Sequence, residues 1–301
     1  MKFGLCLSGG GVKGAAHIGA LKAFEEAGIE FNYVSGTSSG SIVATLYAAG
    51  YKSDEIYKIF INNSKKIKYV EPKKIIKLIM GLIFTGKIII DGLNSGKKLE
   101  KIIKENCNKK NIKNINQIKK ILLIPSVDER DGKIYYFCSS INNRKYSDEI
   151  VYINDIQIQK AIRASCSYPG VFCPCEILGT RLIDGGIREN SPWKELKKAG
   201  AEKVICITFS QTKYEKEKEN IIDIVENSLK ILNHELSNYE LEGVDYNINI
   251  ETENINLLEM NKLEYLYKKG YLITKEFIKK ELESYNYSKT PGPNGKIKKE
   301  E

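Results

Sequence analysis

Ser38 lies in a sequence pattern that is typical of a serine nucleophile. The segment Gly36-Thr37-Ser38-Ser39-Gly40 spells G-x-S-x-G directly after a short apolar run. Small residues two positions before and after the serine permit a sharp turn from a strand into a helix, the nucleophile elbow. Such a turn holds the hydroxyl at the helix N-terminus, with the N–H of Ser39 directed toward developing negative charge. A serine between glycines can also serve only as a helix cap, so the pattern alone leaves both roles open.

The base that would activate Ser38 is not an obvious histidine. The chain has two histidines. His17 falls on the apolar face of a predicted helix, which favours a packed side chain, and His234 falls in a late helix beside Glu235. Neither follows a strand, where an α/β-hydrolase carries its catalytic histidine. A serine nucleophile therefore needs another proton acceptor in this chain.

Asp184 is the alternative proton acceptor. It ends the strand-like segment Arg181-Leu182-Ile183 and is followed by Gly185 and Gly186, which let the backbone turn tightly. A carboxylate at this place takes the serine proton directly if partial burial raises its proton affinity. An Asp-Gly-Gly sequence is also common in plain turns, so its meaning depends on the other motifs.

The N-terminal glycine-rich loop is suited to holding an anion. Residues 9–14 read GGGVKG, after a strand-like run and before a helix-like one. Backbone N–H groups at a helix N-terminus suit a dinucleotide pyrophosphate as well as the oxyanion of an acyl-transfer transition state. The nucleotide interpretation is weakened by Gly36 and Thr37, because a dinucleotide fold carries an acidic residue near the end of its second strand. A P-loop fails because two alanines follow Gly14, rather than Lys and Ser or Thr.

These blocks together resemble the patatin-like phospholipase family. The resemblance is carried by the loop 9–14, the segment 36–40, the Asp184-Gly185-Gly186 turn, and residues 164–172, which match the pattern A-S-x-S-x-P-x-x-F. Asn190 and Pro192, downstream of the turn, also fit. The four blocks follow one another between about residues 3 and 210, and no motif is identified in the remaining C-terminal part.

The resemblance implies a Ser-Asp dyad that hydrolyses ester bonds of phospholipids or other acyl lipids and releases free fatty acid. Ser38 is then the nucleophile and Asp184 the proton acceptor, which accounts for the missing histidine. The amides of Gly10 and Gly11 stabilise the oxyanion, while Gly9 shapes this oxyanion-hole loop. The resemblance implies no metal and no cofactor. The supporting motif residues are Val12, Lys13, Gly14, Gly36, Thr37, Ser39, Gly40, Gly185 and Gly186.

Several other interpretations stay open. Lys13 stands where the family carries a basic residue; it either orients the loop or attracts a lipid phosphate, or it has a simple surface or structural role. The same dyad also fits a soluble carboxylesterase or a lysophospholipase. A non-catalytic lipid-binding protein of the same fold is a further alternative, against which the intact Ser38, Asp184 and glycine loop argue. A nucleotide-binding oxidoreductase is the third.

The arrangement of predicted elements indicates an α/β fold. A strand over 2–8, a helix over 15–27 and a strand over 31–36 form a β-loop-α-β unit, which implies a parallel sheet. The family resemblance implies a three-layer fold with a mainly parallel central sheet flanked by helices. We expect one domain over residues 1–284, with a basic and apolar insert at about 65–120, and a disordered tail over 285–301. Further helices are predicted over 39–49, 154–164, 192–199, 219–240 and 262–284, and further strands over 121–127, 133–138, 181–183, 203–209 and 245–250.

Positive charge is concentrated in one part of the chain. The net charge is +9, and the segment from Lys52 to Lys120 holds 18 lysines against six acidic residues. Within it, apolar residues at 75, 78, 79, 82 and 83 form a helical stripe beside Lys73, Lys74 and Lys77. The stripe is either a core helix with a solvated lysine edge or an interfacial segment attracted to anionic lipid. It is too short and too charged to span a bilayer, and without a basic-aromatic cluster we expect no nucleic-acid partner.

The N-terminal residues and the cysteines indicate the cellular compartment in which we expect the protein. The first residues enter a short strand-like run with no secretory pattern, so we expect a cytoplasmic protein, with peripheral membrane association as a further expectation. The seven cysteines are odd in number and scattered, and the pair Cys173-Pro174-Cys175 has no second pair to complete a metal site. We therefore predict free, buried thiols. The lipid substrate is the expected partner, encountered at a membrane surface.

Overall fold

Strands and helices alternate along most of the chain. The computed structural model describes residues 2–64, 66–67, 70–141, 147–210, 221–252, 255–256 and 259–282. The strands in this part are β1 Phe3–Leu7, β2 Tyr33–Gly36, β3 Ile121–Asp128, β4 Ile134–Cys138, β5 Ile150–Ile153, β6 Cys175–Ile177, β7 Thr180–Asp184, β8 Lys203–Ser210 and β9 Tyr246–Glu251. The helices are α1 Gly14–Glu26, α2 Ser39–Ala48, α3 Ser53–Ser64, α4 Pro72–Thr85, α5 Lys97–Lys109, α6 Ile158–Ser165, α7 Trp193–Lys198, α8 Ile221–Glu240 and α9 Leu263–Phe277.

The strands form one sheet in the order β5-β4-β3-β2-β1-β8-β9. Pairing is parallel from β3 through β2, β1 and β8 to β9, and also between β4 and β5. The strand β7 is antiparallel to β3 and carries β6 at its other edge. This confirms the predicted mainly parallel sheet. The short strands β5 and β6 were not predicted, because three or four residues carry too little pattern to distinguish them from loops.

Helices cover both faces of the sheet, because its central strands are apolar on both sides. Successive side chains of a strand point to opposite faces, and in β1 Leu5 and Leu7 face one apolar cluster whereas Cys6 faces the other. The first cluster contains residues of α1, α2, α5, α6 and α9. The second contains Trp193 and Leu196 of α7. The predicted three-layer α/β fold is thus confirmed, and all seven cysteines are buried and free, as expected.

Most predicted elements are present with shifted ends. The helix predicted over 154–164 begins at Ile158, and the one predicted over 262–284 is α9 followed by a π-helical turn, Ile278–Leu282. Residues 219–220 of another predicted helix and the predicted tail over 285–301 lie outside the described residues. The division into a single domain with an insert stays a prediction.

The apolar stripe in the basic segment is exposed. It forms α4, of which Gly81 alone is buried, while Ile83 and Phe84 expose 70% and 75% of their surface. The interpretation of this stripe as a core helix is therefore wrong, because no element covers its apolar face in the described structure. None of the helices in the described part combines the length and the hydropathy that crossing a bilayer requires.

The helices α1 and α9 approach each other closely at two glycines. A Cβ atom on Gly19 would lie 1.9 Å from the carbonyl oxygen of Tyr267, and one on Gly270 would lie 2.1 Å from that of Ala16. Neither contact is sterically possible, so the two backbones meet only because both positions lack a side chain. This contact joins the C-terminal part of the chain to the first βαβ unit.

We predict that Gly270→Ala lowers the free energy of unfolding by about 1–3 kcal/mol, because the added methyl group forces the helices apart. At an exposed helix position, replacing glycine by alanine would stabilise the helix by about 1 kcal/mol. A lower free energy of unfolding in Gly270→Ala would therefore be due to packing. Chemical denaturation measures it, with Lys268→Ala on the exposed side of α9 as the control, expected within about 0.5 kcal/mol of wild type. A Gly270→Ala protein as stable as wild type would contradict the close contact.

Candidate active site

Ser38 occupies a strained turn between β2 and α2. Its backbone has φ 52° and ψ −123°, a region that residues with a side chain rarely adopt and that costs about 1–3 kcal/mol. The turn is tight: a Cβ atom on Gly36 would lie 2.4 Å from the carbonyl oxygen of Gly40, and one on Gly40 would lie 2.2 Å from that of Leu7. The two glycines of G-x-S-x-G are thus required by the turn itself, which has the geometry of a nucleophile elbow.

Hydrogen bonds from three directions hold this strained turn. The N–H of Ser38 donates to Ser165 Oγ at 3.1 Å, and the N–H of Thr37 donates to the carbonyl of Leu7 at 3.1 Å. The Thr37 hydroxyl donates to the carbonyl of Glu189 at 3.0 Å. Ser165 belongs to the block 164–172, so that block supports the elbow directly, a role that its pattern alone did not reveal.

Asp184 reaches the elbow because of the way β7 is placed in the sheet. The strand β2 pairs with β3 as far as Leu123, and β7 continues along the same edge of β3 from Ser126, where it is paired with Asp184. The antiparallel β7 thus ends where β2 ends, and its last side chain meets the turn that follows β2. Ser38 and Asp184, far apart in sequence, line the same cavity.

The Asp184 carboxyl is buried, and only one of its two oxygens accepts a hydrogen bond from the described residues. Its Oδ1 accepts the N–H of Gly186 at 2.9 Å, whereas its buried Oδ2 accepts no hydrogen bond from the described chain. Burial raises the pKa of Asp184 to about 7, while the Ser38 hydroxyl and the Gly186 N–H act to lower it. The hydroxyl is therefore near enough to influence the carboxyl, although no hydrogen bond of full geometry joins the two groups.

The glycine loop places two free N–H groups beside Ser38. The N–H of Gly9 donates to Asn190 Oδ1 at 2.9 Å, so Gly9 shapes the loop, and a Cβ atom on it would lie 3.3 Å from that of Ser38. The N–H groups of Gly10 and Gly11 have no acceptor within the described residues. Gly10 is the N-cap and Gly11 the first residue of the 3-10 turn Gly11–Lys13 that leads into α1, so both N–H groups lie at a helix N-terminus, where no intrahelical acceptor exists. This arrangement suits a transient anion at the serine.

Two basic residues next to the loop are buried. Lys13 is only 7% exposed, which rules out the simple surface role that its sequence position left open. His17 is completely buried and lies against Phe209, and its Nε2 donates to the carbonyl of Ser8 at 2.8 Å. Burial lowers the pKa of His17 to about 4, so the ring is neutral near neutral pH. The predicted packed role of His17 is confirmed, and His234 is an exposed residue on α8 at the cavity wall.

A buried arginine shapes the wall opposite the glycine loop. Arg163 donates to Ser167 Oγ at 2.6 Å and to the carbonyls of Cys173 at 2.6 Å and Ser95 at 2.9 Å. The carbonyl of Ser167 in turn accepts the N–H of Asp184 at 3.1 Å. Sequence reasoning did not single out Arg163; its position next to the block 164–172 was the one available signal. The arginine fixes the segment between residues 167 and 173 against Asp184.

The predicted catalytic residues and oxyanion-hole glycines share one cavity of about 1050 Å³, large enough for a lipid-sized ligand. Of the supporting motif residues, Gly14, Gly36, Thr37, Gly40 and Gly185 do not line it. Ser38, Asp184 and the glycine loop lie on its wall, beside an apolar part formed by α3, α5 and the segment 168–172. Representative apolar residues are Ile59, Phe60, Leu99, Ile103 and Phe172. A hydroxyl on a strained turn, a buried carboxyl with a pKa near neutrality and two free amides form a constellation suited to acyl transfer.

Comparison with known proteins identifies the family of the chain. A family model described as patatin-like phospholipase matches residues 5–197. The uncharacterized protein YqhO of Bacillus subtilis (strain 168) is 30% identical over 222 residues, which cover 71% of this chain and 73% of YqhO. Lysophospholipase NTE1 of Debaryomyces hansenii is 29% identical over 205 residues, which cover 68% of this chain but only 11% of NTE1.

A solved structure shows the same fold. The crystal structure of VipD from Legionella pneumophila aligns with 92% of this chain and 66% of VipD, with a TM-score of 0.55 and 16% sequence identity. At this identity the likeness concerns the fold alone. The family model, by contrast, matches well over half of the chain and contains the elbow, the glycine loop and the Asp-Gly-Gly turn. The chain therefore belongs to the patatin-like phospholipase family of lipid acyl hydrolases.

Proposed function

We propose that this protein is a serine acyl hydrolase that cleaves ester bonds of phospholipids or other acyl lipids and releases free fatty acid. The observation that carries the proposal is the meeting of a strained serine with a buried carboxyl oxygen that accepts no hydrogen bond from the described residues. Backbone strain and unsatisfied buried polar atoms are costly, and they are concentrated at sites where chemistry requires them. Both occur here at the residues that sequence reasoning selected.

In the proposed mechanism Ser38 and Asp184 act as a dyad. The Ser38 oxygen attacks the ester carbonyl while Asp184 accepts its proton, and the resulting oxyanion accepts the N–H groups of Gly10 and Gly11. Collapse of this intermediate breaks the ester bond, and Asp184 returns the proton to the departing alcohol. Water then attacks the acyl-enzyme with Asp184 again as the base, which releases the fatty acid and restores the serine. The apolar part of the cavity holds the acyl chain.

We further propose that the helix α4 carries the enzyme to an anionic lipid surface. Its large exposed apolar residues lie with the exposed Lys73 and Lys77; they are Ile76, Ile79, Met80, Leu82, Ile83 and Phe84. An exposed amphipathic helix with a basic edge suits the interface of an anionic bilayer, where apolar burial and charge attraction act together.

The helix α4 is also connected to the cavity wall. Lys74 donates to Asp91 at 3.2 Å and lies 3.0 Å from the sulfur of Cys173. The loop after α4 continues this link, because the N–H of Asn94 donates to the carbonyl of Val171 at 2.9 Å and its carbonyl accepts the N–H of Cys173. Docking through α4 would therefore bring the apolar part of the cavity near the membrane.

A lysophospholipase or soluble carboxylesterase using the same residues is the second candidate. The named relatives that favour it are lysophospholipases, although this chain corresponds to only 11% of the length of the one from Debaryomyces hansenii. Rates on diacyl phospholipids, single-chain phospholipids and short soluble esters separate the candidates. A marked preference for single-chain lipids would favour the lysophospholipase, and indifference to a lipid interface would favour the carboxylesterase.

We predict that Ser38→Ala and Asp184→Asn each lower the hydrolysis of a fluorogenic phospholipid about 1,000-fold or more, as the loss of either half of a dyad should. Covalent labelling by a fluorophosphonate probe is expected to disappear in Ser38→Ala. The control is Ser64→Ala, which removes a hydroxyl from the wall of the same cavity and should leave the rate unchanged. Full activity in Ser38→Ala would refute the mechanism.

We predict that kcat/KM for a soluble ester rises about tenfold per pH unit up to about pH 7 and is level above it. The reason is that burial raises the pKa of Asp184 to about 7, and only the ionised carboxylate accepts the serine proton. Initial rates between pH 5 and 9 measure the profile. A rate that is constant, or that falls, between pH 5 and 7 would show that the ionisation of Asp184 does not govern the reaction.

We predict that Ile83→Asn combined with Phe84→Asn reduces co-sedimentation with anionic vesicles about tenfold or more, because two exposed apolar side chains are lost from α4. Lys73→Glu with Lys77→Glu should weaken binding to anionic but not to neutral vesicles, and added salt should mimic this effect.

The control for this experiment is Leu272→Asn, which changes an equally exposed apolar residue on α9 and should not alter vesicle binding. Hydrolysis of a soluble ester is expected to be unchanged in all these variants, and Ser38→Ala should still bind vesicles. Binding that ignored salt, lipid charge and the α4 substitutions would remove α4 from the proposal without affecting the dyad.

A further inference from the structure

The last residue of α8, Glu240, is buried against the segment that carries Asn190. Its Oε1 accepts the N–H of Asn190 at 2.9 Å, and its Oε2 accepts the N–H of Ser191 at 2.8 Å. Its main-chain carbonyl accepts the indole N–H of Trp193 at 2.6 Å. The side chain thus pairs with two consecutive backbone N–H groups, one for each carboxyl oxygen, and Glu240 is only 7% exposed.

Asn190 connects this contact to the glycine loop. Its Oδ1 accepts the N–H of Gly9 at 2.9 Å, and its Nδ2 donates to Ser237 Oγ at 3.2 Å. Ser237 lies one turn before Glu240 on α8. The asparagine is therefore held by its backbone and its side chain from the same helix, and it holds the loop through a single bond to Gly9.

The loop needs such support because little else fixes its free amides. The N–H groups of Gly10 and Gly11 have no acceptor in the described chain, and three consecutive glycines, which lack a Cβ atom, can adopt many backbone conformations. An oxyanion site works only if its donors are in place before charge develops, since reorganisation during the reaction would forfeit the stabilisation. Gly9 is the adjacent residue with a side-chain anchor.

We propose that Glu240, Ser237 and Asn190 form a positioning clamp that orients the Gly10 and Gly11 amides for the oxyanion. This inference rests on the proposed function of Ser38. The clamp lies largely beyond residues 5–197, the range that the family model matches, and α8 belongs to the part of the chain in which sequence reasoning identified no motif. It assigns to α8 a role at the reacting centre, in which Glu240 and Ser237 act through Asn190.

The decisive variant is Glu240→Leu, which keeps the volume of the side chain and removes both acceptors. We expect kcat for a soluble ester to fall about 10- to 100-fold, since displacement by about 1 Å at a reacting centre has effects of this size. KM should stay within about twofold, because the acyl-binding wall is not touched. Glu242→Leu, an exposed glutamate two residues further on, is the matched control and should behave as wild type.

A transition-state mimic distinguishes positioning from general damage. A trifluoromethyl ketone adds to the serine and places an oxyanion at the amides, so its Ki should rise by the same factor as kcat falls. In the double variant Asn190→Ala with Glu240→Leu, kcat should fall no further than in the more damaging of the two single variants, because both residues act through Gly9. If Glu240→Leu does not fold, as judged by its thermal melt, Ser237→Ala supplies the test with a smaller loss, about threefold, again confined to kcat and Ki.

Two outcomes would overturn the clamp. One is a folded Glu240→Leu protein with wild-type kcat and Ki, and the other is fully additive losses in the double variant. Absence of Ser38-dependent hydrolysis in the wild type would instead overturn the proposed function. Because the wild type and Ser38→Ala are assayed first, the two failures are told apart.

Discussion

The exclusion of water from the Asp184 carboxyl is the constraint on which the rest of the site depends. Burial raises its pKa from 3.8 to about 7, and each unit corresponds to about 1.4 kcal/mol. Ionising this group in the folded state thus costs roughly 4 kcal/mol above pH 7. Because its folded pKa is the higher one, the stability that the group confers is present at low pH and is lost as the pH rises from about 4 to 7. The fold tolerates this loss, and the result is a carboxyl beside Ser38 that gains or loses its proton near pH 7.

The packed sheet holds the strained turn at Ser38 and the buried carboxyl of Asp184 in place. The strands β1, β2, β3 and β8 are buried on both faces, and their packing is not free to relax around a strained turn or an unsatisfied oxygen. The elbow is pressed against the end of β1, since Gly40 lies almost in contact with the backbone of Leu7. Strain at Ser38 is therefore maintained by contacts that belong to the core, not by the local sequence alone.

Parts of the chain far from the motifs complete the environment of the site. The segment held by Arg163 forms one wall of the cavity and joins it to the loop after α4, and the clamp on α8 supports the opposite side through Asn190. The exposed α4 combines the apolar and basic side chains that suit a lipid surface, whereas α9 packs closely against α1. The functions we propose for α4 and α8 differ, but both helices are connected to the cavity wall, α4 through Lys74 and α8 through the contact of Ser237 with Asn190.

The amino-acid sequence predicts the local features of the protein: Ser38 between glycines, Asp184 before two glycines, the loop 9–14, and the parallel α/β character of the fold. Each of these features depends on a few neighbouring residues. Glycines determine which tight turns the backbone can make, and the spacing of apolar residues favours a strand or a helix. The folded structure was needed to show that β7 lies in line with β2 along β3, which brings Asp184 to Ser38. It also showed that the apolar stripe of α4 faces outward and that Glu240 meets Asn190. Such contacts depend on which distant elements pack together, and a side chain's pKa, exposure and partners are set by those neighbours.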